Sequence, residues 1–144
     1  MFDEDRVEVF ARAFSKGFPE YLENIEHKAI EEDVPVIRKD TQELLRVILN
    51  LVKPENILEI GTAVGFSSLL MSEYTMDNCH IKTIENYPPR IKEAKDNFAK
   101  FDKGGKIELL EGDAGEIIKK LDGSFDIIFL DGPKGQYENY LDDL

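Results

Sequence analysis

Three groups of residues in this chain have types and spacings that can do chemistry. The first is Glu59-x-Gly61-x-x-x-Gly65, which follows the short apolar run Ile57-Leu58-Glu59-Ile60 and precedes Phe66-Ser67-Ser68-Leu69-Leu70-Met71. Two glycines at a strand-to-helix junction permit a tight turn and a close approach of backbone to a ligand. An acidic residue just before them is a poor choice for a pyrophosphate, and it suits a cationic ligand carrying an ammonium or sulfonium group. The second group is Glu85, at the end of His80-Ile81-Lys82-Thr83-Ile84, which reads as a second strand. An acidic residue about 20 residues past a glycine turn, at the end of a second strand, is placed to hydrogen-bond ribose hydroxyls. It is also an ordinary place for a solvated strand-end charge. The third is Asp131-Gly132-Pro133-Lys134, delivered by Phe125-Asp126-Ile127-Ile128-Phe129-Leu130. It sets a carboxylate and an amine side by side after an apolar strand.

The elements that must position these residues follow from periodicity. Apolar residues at helical spacing predict helices over 3–16 (Val7, Phe10, Ala11, Phe14), over 19–32 (Leu22, Ile25, Ala29) and from Asp40 or Thr41 as cap, with Leu44, Leu45, Ile48 and Leu51 as the apolar face. Asp33-Val34-Pro35-Val36-Ile37 reads as an extended link, and Lys53-Pro54-Glu55-Asn56 as a turn. After it, strands and helices alternate: strand 57–60, helix from Phe66 to about Tyr74, strand 80–84, and a helix opened by Pro88-Pro89. Strand 106–110, helix 115–121 and strand 125–130 complete the series. Alternation of this kind predicts an α/β fold, a Rossmann-like, doubly wound and mainly parallel sheet. The chain reads as one domain over 1–144, with an N-terminal helical segment over 1–52 and a cofactor-binding core over 53–144. Glu111-Gly112-Asp113-Ala114 brings Asp113 to a strand's carboxyl end, where ligand contacts collect, and equally to the cap of the next helix.

Composition narrows the function. A net charge of −12 over 144 residues argues against broad phosphate-driven binding of nucleic acid. The basic residues Arg90, Lys92, Lys95, Lys100, Lys103 and Lys106 are interleaved with acids, as on a solvated helix. No apolar run is long enough to cross a bilayer, and the first six residues are too acidic for a signal peptide. With a single cysteine, Cys79, no internal disulfide forms, and the expectation is a soluble cytoplasmic protein without a membrane partner. His27, His80 and Cys79 carry no chemical signal of their own.

In order and spacing, the glycine turn, Glu85, Glu111-Gly112-Asp113-Ala114 and Phe129-Leu130-Asp131-Gly132-Pro133-Lys134-Gly135-Gln136-Tyr137 resemble the catechol and caffeoyl-CoA type of cation-dependent class I O-methyltransferases. The likeness extends to small bacterial members acting on a modified tRNA wobble uridine, and it covers nearly the whole chain. The resemblance implies S-adenosylmethionine and Mg²⁺ as cofactors. It implies that Glu59, Gly61, Gly65 and Ser67 surround the methionine moiety, that Glu85 binds ribose, and that Asp113 and Ala114 contact adenine. Asp131 would bind the metal and lie against the cofactor, and Lys134 would be the general base. Val36 and Ile37 fall near the segment that covers the cofactor. The acceptor would be a small hydroxylated molecule or a modified tRNA uridine.

Against this pattern the chain is short. Family members continue to a fifth strand, whose Asp-Asn completes the metal site, and to a terminal hairpin. The expectation is therefore a C-terminally truncated methyltransferase that retains cofactor binding, lacks part of the metal and acceptor sites, and forms a homodimer. Two other readings stay open. One is a nicotinamide-dependent oxidoreductase, which the absent third glycine and Glu59 disfavour. The other is a non-catalytic cofactor-binding or dimerisation module.

Overall fold

The computed structural model of the chain describes Ala13 and residues 16–132. The helix expected over 3–16 falls outside them apart from Ala13 and Lys16, as do Lys134 and the helix expected after Gly135. In chain order the elements are α1 (Glu20–Glu31), α2 (Lys39–Val52), β1 (Asn56–Ile60), α3 (Phe66–Glu73), β2 (His80–Glu85), α4 (Pro88–Phe101), β3 (Ile107–Glu111), α5 (Ala114–Ile118) and β4 (Ile127–Leu130).

The four strands are all parallel, in the order β3-β2-β1-β4. The sheet therefore grows outward from β1 in one direction through β2 and β3, then returns to β1's other side with β4. Between β1 and β4 lies a topological switch point, where a crevice opens beyond the strands' carboxyl ends. Parallel strands are covered on both faces, which is why β1 reads as a continuous apolar run broken only by Glu59. On one face Ile57 and Ile81 pack with α1, α2 and α3 through Leu22, Leu45, Leu49, Leu69 and Leu70. On the other face Leu58, Ile60 and Ile84 pack against Ala114 and Ile118 of α5.

Two expectations change here. Helix α2 begins at Lys39 with Arg38 as its cap residue, because the Asp40 carboxylate is engaged within the first turn by the Thr41 N–H. Its buried face is Gln42-Leu45-Leu49, whereas Leu44, Val47, Leu51 and Val52 are exposed and Ile48 is half-buried. The apolar residues of α2 exceed one stripe, so periodicity admitted two faces. Gln42 decided between them: its side-chain amide donates to Glu26 and to the Ile37 carbonyl, which turns that face toward α1 and the link. The basic stretch also divides. Lys106 is nearly buried, and its ammonium donates to the Ser72 and Thr75 carbonyls at 2.8 and 2.9 Å, at the carboxyl end of α3. A cation there satisfies orphan carbonyls and the helix dipole together.

The register of α2 is checked by two substitutions. Leu49→Ala should cost about 3 kcal/mol in chemical denaturation, as for a fully buried leucine. Leu51→Lys, measured at a concentration where the chain is monomeric, should stay within about 0.5 kcal/mol of the parent, as for an exposed site.

Candidate active site

At the carboxyl end of the sheet is a cavity of about 560 Å³. Each strand contributes to it from its last residue or the turn that follows: Ile60, Gly61 and Ala63 after β1, Ile84 and Glu85 from β2, Gly112 and Asp113 after β3, and Asp131 and Gly132 after β4. Val34 and Pro35 close one side from the link between α1 and α2, and Asn86, Tyr87 and Arg90 close another from the start of α4. The size suits a small molecule or nucleoside-based cofactor.

Glu85 is held in one orientation. One carboxylate oxygen accepts the Ala63 N–H at 2.9 Å, and the other accepts the N–H groups of Asn86 and Tyr87 at 3.0 and 2.9 Å. A carboxylate fixed by three backbone donors keeps lone pairs for hydroxyls offered from the cavity. Ala63, its partner, is one of three non-glycine residues with positive φ among the described residues, at 46°. Strain of this kind persists only where surrounding contacts over-determine the backbone. Asp113 lines the cavity and also caps α5, accepting the Glu116 N–H at 3.1 Å. Ala114 lies beside it. The rim residue Asp131 is exposed as a whole, yet local desolvation of its carboxyl raises its pKa above the ordinary aspartate range.

Glu59 is not in the cavity wall. It is fully buried in the layer beneath α3, and its carboxylate accepts hydroxyl hydrogen bonds from Ser67, Ser68 and Thr83. Thr83 is its register partner on β2, at 2.6 Å, which is why the two side chains meet on one face of the sheet. Burial pushes the Glu59 carboxyl up to about 7, against the pull of the three hydroxyls, and Asp131 nearby adds to the rise. Glu59 and Ser67, expected around the methionine moiety, do not line this cavity: Ser67 donates to Glu59 below its floor.

The two glycines turn the chain as expected, with positive φ, and also make room for neighbouring protein. Gly61 has φ of 102°, and a Cβ there would lie 2.7 Å from the Asp131 carbonyl oxygen and 2.8 Å from the Gly132 nitrogen. Its missing side chain admits the neighbouring strand end. Gly65 has φ of 85°, and a Cβ there would meet the Phe98 ring at 2.6 Å. That space is filled by α4, and Gly65 does not line the cavity. The covering segment shifts as well: Val34 and Pro35 reach the cavity, while Ile37 turns into the core.

Of the predicted site residues, the fold brings Gly61, Glu85, Asp113, Ala114 and Asp131 together at one cavity, and places Glu59, Gly65 and Ser67 behind it. Lys134 lies outside the described residues. Sequence reasoning missed Ala63, Asn86, Tyr87 and Arg90. Their signal was position alone, within five residues of Gly61 or Glu85. Among the described residues no group of three His, Cys, Asp or Glu could hold a metal ion, and no helix is long and apolar enough to cross a membrane.

Residues 13–144 match the family model described as O-methyltransferase, and the chain belongs to that family. An O-methyltransferase of Aspergillus thermomutatus is 37% identical over 92 residues, which are 62% of this chain and 38% of the relative. The catechol O-methyltransferase of Niastella koreensis is 30% identical over 100 residues, 67% of this chain and 45% of the relative. Among solved structures, the SAH-bound methyltransferase of Podospora anserina superposes with a TM-score of 0.90 at 31% identity, covering 99% of this chain and 64% of the neighbour. The chain thus spans less than half the length of these two curated relatives and about two thirds of this solved neighbour.

The buried Glu59 predicts a pH dependence. Because its carboxyl titrates near 7 in the fold and near 4.5 in the unfolded chain, the native state holds a proton that the unfolded state has lost between these values. That contribution to stability is complete below about 4.5 and is lost as pH rises toward 7. Urea unfolding of the parent and of Glu59→Gln should therefore show a difference that changes across pH 4.5 to 7 and levels off above it. Parallel profiles over that window would refute the assignment.

Proposed function

We propose that this chain binds S-adenosylmethionine in the cavity above β1 and β2 and serves methyl transfer to a hydroxyl group. The observation that carries the reading is the Glu85 carboxylate, clamped by three backbone N–H groups at the end of β2 and facing a cavity of about 560 Å³. Membership of the O-methyltransferase family and the fold shared with an SAH-bound neighbour support it.

When bound, the cofactor supplies an electrophilic methyl group on a sulfonium. The chain's own residues do the rest. Glu85 would accept a ribose hydroxyl on the oxygen that already takes the Ala63 N–H, where one acceptor site remains, without reorganising. Asp113 and Ala114, at the start of α5, border the base, and the apolar surfaces of Val34, Pro35 and Ile60 exclude water from the reacting end. The negative field of Asp131 beside the turn, joined by Glu59 beneath it once pH rises above about 7, favours a cationic donor over a neutral one. Lys134, three residues past Asp131, carries over from the resemblance as the group that takes the acceptor's proton.

Mg²⁺ is part of the same resemblance. The resemblance assigns it Asp131, whereas Glu85 and Asp113, the other cavity carboxylates, accept backbone N–H groups, and among the described residues no group of three acidic, His or Cys side chains could hold a metal ion. A single carboxylate does not make the near-octahedral oxygen set that Mg²⁺ binding asks for. The acceptor proposed is a small hydroxylated molecule, which the net charge of −12 favours over a modified tRNA uridine. A reducing cytoplasm suits the single buried thiol, Cys79.

A thermal shift separates this reading from a nicotinamide enzyme: S-adenosylhomocysteine at 100 times its Kd should add about 2.7 kcal/mol of stability, and NAD none. Glu85→Ala should weaken that binding at least tenfold, and an unshifted melting curve with the parent chain would sink the proposal. Self-association belongs to the proposal too, since Leu44, Val47 and Leu51 leave an apolar face on α2 that a second copy would cover. Sedimentation velocity should show dimers at micromolar concentration, and a clean monomer would count against them.

A further inference from the structure

The turn after β1 has two residues facing the cavity and one facing the core. Gly61 and Ala63 line the cavity, while Thr62 between them is 1% exposed and points inward. Its hydroxyl meets the Thr83 hydroxyl, and Thr83 donates in turn to a Glu59 oxygen at 2.6 Å. Above about pH 7 Glu59 is ionised and only accepts, so it fixes the direction of both bonds: Thr83 spends its proton on Glu59, and its oxygen is left to accept from Thr62. The remaining Glu59 contacts, from Ser67 and Ser68, hold the first turn of α3 to the same carboxylate. All five side chains are nearly or fully buried.

We propose that Thr83 is a positioning residue for the cofactor site, coupling the buried Glu59 anchor to Thr62 and thereby holding Gly61 and Ala63 in the conformation that receives the cofactor. Ala63 has an unfavourable positive φ and must present its N–H to Glu85, and these demands are met only if the residue before it is pinned. The Thr62 amide donates to the Ile84 carbonyl at 3.2 Å, and the Gly65 amide to the Thr62 carbonyl at 2.8 Å. Backbone bonds therefore hold Thr62 at both ends, and the hydroxyl contact supplies the third fixed point, which sets its rotation. Without that contact the turn keeps its place in the chain and loses its orientation relative to Glu85. Thr83 touches no part of the cavity, so its effect on binding passes through Thr62.

This inference rests on the cofactor reading, and isothermal titration with S-adenosylhomocysteine tests the two separately. Thr83→Val removes the relay and keeps the shape, and it should raise Kd about tenfold, the effect of one buried hydrogen bond that orients a site. Thr83→Ser restores the hydroxyl and should return Kd to within about twofold of the parent, which a loss of packing would not do. Thr62→Val leaves Glu59 with all three of its donors and should weaken binding to the same degree. The double variant should be no weaker than either single one. Parent-like Kd values in Thr83→Val, or in Thr62→Val should the first variant not fold, overturn the inference and leave the cofactor reading standing. Absence of binding by the parent chain overturns both.

Discussion

The structure depends on a carboxylate placed where the sheet should be apolar. Glu59 sits in the middle of β1 with no solvent exposure, and an unpartnered charge there would cost far more than one domain's net stability. The fold answers with three hydroxyls drawn from two elements, Ser67 and Ser68 on α3 and Thr83 on β2. Because these donors satisfy Glu59 only in one arrangement, the carboxylate also specifies how α3 leaves the glycine turn and how β1 registers with β2. The interaction that risks most is the one that leaves least freedom around the cavity.

Close approach at the switch point is the second constraint. Strand β4 returns to β1 with its end against Gly61, and the Asp131 N–H donates to the Ile60 carbonyl at 2.9 Å. A side chain at residue 61 would separate the two strand ends, and the cavity floor is continuous only because none is there. Gly65 plays the same part for Phe98 and α4. The glycine motif is thus first a packing device, and the ligand site is the space left once β1, β4, α3 and α4 have come together.

The electrostatics of the cavity follow from this packing. Glu85 and Asp113 line the cavity with their oxygens already oriented by backbone N–H groups, while Glu59 lies below it. Acidic groups at three depths around one turn make a site of negative potential with little freedom to rearrange. Such a site suits a cationic donor carrying a sugar. Membership of the O-methyltransferase family agrees with that chemistry.

The amino-acid sequence alone determined the order of elements from Glu20 to Leu130, the parallel α/β class, the glycine turn, and Glu85 and Asp113 as residues at strand ends. These are local facts, carried by periodicity, capping chemistry and the spacing of special residues. Tertiary structure alone decided which of two apolar faces of α2 is buried, because a polar residue, Gln42, chooses the face through partners on α1 and the link. It also decided that Glu59 and Ser67 satisfy each other, and that the glycines make room for protein. Those outcomes depend on pairings between residues far apart in the chain, Glu59 with Thr83 and Gly61 with Asp131, and no spacing along a single strand encodes which partner will arrive.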